Sequence, residues 1–316
     1  MTPRVSIVVI LHRIPRQGDN TLYSLSTAHQ RHVDARDYEI IVVENASDAE
    51  LGEARARAHG DNVRYFRRDE PGVSPVPSVN FGFDQARAPL VGFMIDGAHM
   101  VTPRLVEHVL LAARLHPLPV IATPAHHLGK TEQHLNVSHG YDEVAEQRLL
   151  DEARWKEDGY ALFDIGVWSG ANYNGCFSPA MESGAIFCTR DAFESIGRAD
   201  VRFDSEGGGI VNQDIFARLC RLPGSRLIVL AGEGSFHQFH GGVSTSEVPD
   251  REGLLERLRL QHVAIRGHRV IGYDREPLVV GVIPRQALRS LHQSAELGRL
   301  RHAMCVGSGR PEWPND

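Results

Sequence analysis

Asp96 and His99 stand three residues apart in Ile95-Asp96-Gly97-Ala98-His99, and His237 and His240 repeat that spacing in Phe236-His237-Gln238-Phe239-His240. One carboxylate with several imidazoles is a donor set for a divalent cation, suiting Mn better than Ca, with Mg the other ion considered. Such an ion acts as a Lewis acid on phosphate oxygens and offsets charge that develops there. Gly241-Gly242, directly after the second histidine pair, lets backbone approach a ligand closely. The plainer alternative is that Asp96 caps the next turn and the histidines only hydrogen-bond. With 17 histidines in the chain, no single one is diagnostic. His126, His127, His134 and His139 read as a solvated loop, and their spacing fits no standard zinc pattern.

These residues need elements to carry them. Val5 to Leu11 is a short apolar run rich in β-branched residues, as a buried parallel strand requires. Glu39 to Val43, Val63 to Phe66 and Leu90 to Ile95 read as further strands. Between them, helices are expected around Leu22 and Leu25 with Asp19 or Asn20 as cap, over Ala49 to His59, and over Asn80 to Ala88. Strands alternating with helices imply a mainly parallel, Rossmann-like α/β sheet flanked by helices, with ligands gathering beyond the carboxyl ends of the strands. Glu44 to Asp48 and Asp96 to His99 both fall there. The segment 125–178 reads as an insertion, with a helix over Asp142 to Lys156 and the aromatic residues Trp155, Tyr160, Trp168 and Tyr173, for which core packing and stacking on a ligand are both open. After it come a strand over Ala185 to Cys188, a helix from Asp191, the glycine run Gly207-Gly208-Gly209, Asn212-Gln213-Asp214, and a strand over Arg226 to Ala231. The expected division is 1–125 and 126–247 as two halves of one domain, with 248–316 as a helical extension.

Composition narrows the class. The chain has 316 residues, 42% of them hydrophobic, enough for a sizeable core without a partner. A net charge of -6 excludes the basic surface of a nucleic-acid-binding protein. Cys176, Cys188, Cys220 and Cys305 form no C-x-x-C pair or disulfide pattern, so a reduced, cytoplasmic setting is expected. No stretch approaches the roughly 20 apolar residues of a membrane span, and the first strand begins without a signal-peptide pattern. The C-terminal helices are compatible with a homodimer or with lying on a membrane surface.

Taken together, Val5 to Ile10, Tyr38 to Asp48, Asn80-Phe81-Gly82-Phe83-Asp84-Gln85-Ala86 and Phe93 to His99 resemble, in order and spacing, the first hundred residues of family 2 glycosyltransferases. The resemblance implies a GT-A fold and transfer of a sugar from a nucleotide-sugar donor to a glycan, lipid-linked or small-molecule acceptor. It implies donor contacts at Ile10, Leu11, His12, Glu44, Asn45, Asn80, Asp96 and Gly97, with Glu44 on the nucleobase. It implies an inverting reaction with Asp214 as catalytic base, since Gln213-Asp214 occupies the place of the family's acidic pair; a helix-capping role is the alternative for Asp214. Two positions depart from the pattern. Val79 replaces the usual Arg before Asn80, and Ala98 replaces the second acid of the Asp-x-Asp motif, which leaves the metal to His99, to weak binding, or to no requirement at all. A nucleotidyltransferase and a non-catalytic sugar-nucleotide or glycan-binding protein are the competing classes. His12 to Gly18 is a poor match to the Gly-rich basic loop of the former.

Overall fold

The computed structural model describes residues 2–172, 180–242, 249–273 and 275–310; Tyr173 and Cys176 lie outside them. In chain order the elements are β1 (Val5–Leu11), α1 (Pro15–Leu25), β2 (Tyr38–Asn45), α2 (Glu53–Arg57), β3 (Val63–Arg68), α3 (Val76–Gln85), β4 (Leu90–Met94), β5 (His99–Val101), α4 (Leu105–Ala112), β6 (Pro119–Ala122) and β7 (Ala125–Leu128). They continue with α5 (Gln133–Val137), α6 (Glu143–Ala153), β8 (Gly166–Trp168), β9 (Ile186–Thr189), α7 (Arg190–Ser195), α8 (Val211–Arg221), β10 (Arg226–Leu230), β11 (Ser235–His237), α9 (Arg251–Arg266), β12 (Leu278–Val280) and α10 (Leu288–Ser308).

Eight strands form the central sheet in the order β12-β10-β6-β9-β4-β1-β2-β3. All neighbours are parallel except β9, which runs antiparallel to both β4 and β6. Alternation along β1 divides the core. Val5, Ile7, Val9 and Leu11 pack on one face with Leu22 and Leu25 of α1, whereas Val8 and Ile10 pack on the other with Val79 and Phe83 of α3. A second sheet, β5-β11-β7-β8, carries the histidine-bearing segments and covers a third apolar cluster around Trp155, Phe163 and Phe236.

Several elements depart from the sequence expectations. The first helix starts at Pro15, not near Leu22, because proline is pre-organised for the first helical position and its missing N–H is not needed there. The third helix likewise begins at Val76 with Pro77 in its first turn. The second is only five residues long, preceded by Gly52 at φ 81°. Residues 248–316 are more than a helical extension, since β12 completes one edge of the central sheet. No helix among the described residues is long and apolar enough to cross a membrane.

Candidate active site

A cleft of about 1180 Å³ opens beyond the carboxyl ends of β1, β2 and β4 and is closed on its far side by α9. Asp96 sits in it on the turn between β4 and β5. Its Oδ1 accepts from the Ala98 amide at 3.0 Å, so the capping role is real, and Oδ2 is left to face the histidines. His237 Nε2 lies 2.8 Å and His240 Nε2 3.2 Å from that oxygen, with the two nitrogens 3.1 Å apart. Gly97 donates to the Ile10 carbonyl at 3.0 Å, and a Cβ there would come within 2.3 Å of that oxygen, so only glycine lets the turn approach β1.

The loop that brings the histidines is held from both sides. The Gln238 side chain accepts from the Asn20 amide and donates to the carbonyls of Gln17 and Ala98. From α6, buried Glu146 accepts the Phe239 amide at 2.7 Å and pairs with Arg16 at 2.8 Å. Gln17 and Arg16 both donate to the Phe239 carbonyl.

The protonation of His237 follows from its neighbour. Gln133, fully buried, donates through Nε2 to the His237 carbonyl at 2.9 Å. Its Oε1 must then be the atom 2.7 Å from His237 Nδ1, because the flipped amide would set two oxygens against each other. Nδ1 is therefore the donor, and in the neutral ring Nε2 points a lone pair at the Asp96 carboxylate and the His240 nitrogen. A lone pair facing an anion needs a proton or a metal cation between them. A carboxylate and two imidazoles, one oriented by an outer hydrogen bond, fit a divalent metal site. In its absence protons do the same work: burial opposes charge on His240, yet the field of Asp96 raises its pKa. Burial likewise opposes ionisation of Asp96, and His240 and His237 nonetheless hold its carboxyl well below the usual range.

Other expected residues are placed differently. His99 lines the cleft and packs edge-on against His237, ring centroids 4.9 Å apart, but stands outside the group of three; burial lowers its pKa to about 3, so it is neutral. Ala98 is wholly buried in the core beside α1, which is why no second carboxylate can stand there. Ile10, His12 and Asn45 do line the cleft. Leu11 does not, since its side chain packs under α1. Glu44 is fully buried and accepts from the Leu51 and Gly52 amides at 2.7 and 2.9 Å and from the Tyr65 hydroxyl at 2.7 Å, closing the turn after β2 instead of reading a nucleobase. Asn80 is spent on a two-point clamp to the backbone of Ala199.

Asp214 is also corrected. Its carboxylate, 1% exposed, is grasped by Arg266 through two hydrogen bonds of 2.7 and 2.9 Å and by Arg218 at 2.9 Å, with His262 at 3.4 Å, and it does not line the cleft. It docks α9 onto α8; Asn212 and Gln213 turn toward the cleft in its place. His126 is no solvated residue: it is fully buried between Trp168 and Phe236 at 4.5 and 4.9 Å, and burial lowers its pKa to about 3. Trp155, Tyr160 and Trp168 are core residues. Gln133, Glu146 and Glu182 were not anticipated. An amide that orients a ligand carries no charge or motif to betray it.

Residues 6–165 match Glycosyl transferase family 2, half of the chain. The chain belongs to this family. The fold agrees with it. S. aureus TarS 1-349 in complex with UDP-GlcNAc superposes with a TM-score of 0.52 at 11% identity over 82% of this chain and 66% of that one. S. aureus TarS itself gives 0.51 at 12% identity over 82% of this chain, which spans 40% of its length. The mannosyltransferase PcManGT from Pyrobaculum calidifontis, in complex with GDP-Man and Mn2+, gives 0.49 at 14% identity, covering 98% and 77%. The likeness to TarS is one of fold, the GT-A arrangement of a mainly parallel sheet with flanking helices. No curated protein sequence matches the chain.

Proposed function

We propose that this family 2 chain transfers a glycosyl group from a nucleoside diphosphate sugar to an acceptor hydroxyl, with the donor diphosphate seated at Asp96, His237 and His240. The observation that carries the reading is the Nε2 lone pair of His237, aimed 2.8 Å from Asp96 Oδ2 and oriented by Gln133. Family membership and the UDP-GlcNAc bound by TarS supply the ligand class. Ile10, His12, Asn45, Asp96 and Gly97, which line one wall of the cleft, are the proposed donor contacts. A metal held by Asp96, His237 and His240 would stabilise the negative charge of the departing diphosphate. Two nitrogen donors among three favour Mn over Mg.

Calorimetric titration of UDP and of GDP, with and without Mn, tests this on the unaltered chain and on Asp96→Ala. Metal-dependent binding that the substitution abolishes is the expected result and would identify the base. Binding indifferent to metal would move the chemistry to a metal-free transferase. Absence of binding by either nucleotide would remove the proposal.

A further inference from the structure

With Asp214 turned away, the cleft still requires a group to take the acceptor's proton, and the reversed strand supplies one. Because β9 is antiparallel to β4, with Phe93 opposite Ile186, the residues that precede β9 lie at the same end of the sheet as the residues that follow β4. Glu182 therefore faces the same cleft as Asp96, together with His99, Gly184 and Gln213. It also borders a smaller, mainly apolar recess walled by Trp168, Phe216 and Tyr273.

The surroundings of Glu182 differ from those of Asp214 in the respect that matters for proton transfer. Its carboxylate accepts from the Asn212 amide at 3.4 Å, and among the described residues no arginine, lysine or histidine is ion-paired to it. The Asn172 amide holds its backbone carbonyl at 3.1 Å. Burial, the largest influence, raises the pKa of the carboxyl, and the hydrogen bonds of the Asn212 and Gln213 amides lower it.

We propose that Glu182 is the general base of an inverting transfer, an inference that rests on the glycosyl-transfer reading above. The carboxylate takes the proton of the acceptor hydroxyl as the oxygen lone pair forms a bond to the anomeric carbon. The bond from that carbon to the phosphate oxygen breaks, and its electron pair leaves with the nucleoside diphosphate. A carboxyl whose pKa is raised toward working pH is the better base for this step.

The test is hydrolysis of a panel of UDP- and GDP-linked hexoses in Mn buffer, with water as acceptor, by the unaltered chain and by Glu182→Gln and Glu182→Ala. Glu182→Gln is expected to lower kcat by ~10²–10⁴-fold, with KM and calorimetric UDP affinity changed by no more than about twofold. Azide, already an anion, needs no base, so glycosyl azide should form from Glu182→Ala at close to the unaltered chain's rate. Hydrolysis unchanged in Glu182→Gln overturns the assignment, as does loss of UDP binding, which would make Glu182 part of the donor site. Azide transfer reduced as much as hydrolysis overturns it too. No turnover by the unaltered chain overturns the glycosyl-transfer reading and the base together, whereas each of the other failures removes only the base.

Discussion

At the scale of single residues, the site depends on a neutral amide. Gln133 holds the N–H of His237 on Nδ1 and so leaves Nε2 for a metal. Outer hydrogen bonds to ligating histidines commonly contribute 10- to 100-fold in metal affinity. Gln133→Ala is therefore expected to weaken Mn binding by about that factor while UDP binding without metal stays unchanged, as calorimetry with each ligand would show. Ala98→Asp restores the missing motif acid on paper only. Its side chain would enter the core beside α1, where an unpaired carboxylate costs several kcal/mol. Urea unfolding should show a lower midpoint for that variant and calorimetry no gain in Mn affinity. Asp96, His237 and His240 were legible because polar residues that follow apolar strands stand out. Gln133 and Glu182 were not, the first for want of charge and the second because the sequence does not give the direction of the strand that follows it.

At the scale of elements, Asp214 shows how one residue type serves two ends. Position 214 falls in the first turn of α8, and one turn later Arg218 meets it on the same face. Arg266 completes the grip from α9, whose other side borders the cleft. Breaking a buried ion pair by removing one partner costs roughly 3–5 kcal/mol. Asp214→Asn should accordingly lose about that much in urea unfolding, while Mn affinity of the folded fraction is retained. The glycine run is equally structural in cause: Gly207, Gly208 and Gly209 have φ of 66°, 77° and 58°, and a Cβ at 208 would sit 2.9 Å from a Val211 methyl. Gly208→Ala is expected to cost at least about 1 kcal/mol, measured in the same way. The strands read from apolar, β-branched runs, β1, β2, β3, β4, β9 and β10, lie close to their observed bounds, whereas the short strands β5, β6, β7, β8, β11 and β12 were not read at all. Helix starts were legible at α6 and α7 but not at α1 and α3, where prolines occupy the first turns at Pro15 and Pro77.

At the scale of the whole molecule, buried histidines make the fold sensitive to acid. Burial lowers the pKa of His29 to about 4 and that of His126 to about 3. Both rings are neutral when folded and take up protons on unfolding below their ordinary pKa of about 6.5. The unfolded state then binds more protons, so stability falls as the pH is lowered, by at most about 1.4 kcal/mol per pH unit for each ring. The loss from these two begins near pH 6.5 and ends near the folded values. Urea midpoints measured at pH 7.5, 6 and 5 should decline, and His126→Phe should shallow the decline. The division of the cation site between distant parts of the chain has a further consequence. Asp96 belongs to the first third and His237 and His240 to the last, and the region that carries the family match ends at residue 165. A bound ion would thus fasten a seam between two stretches of chain made at different times during synthesis. A nascent chain stopped near residue 165 would display the family's signature while holding a single ligand, and competence to bind metal would arrive only when the late loop closed over α1.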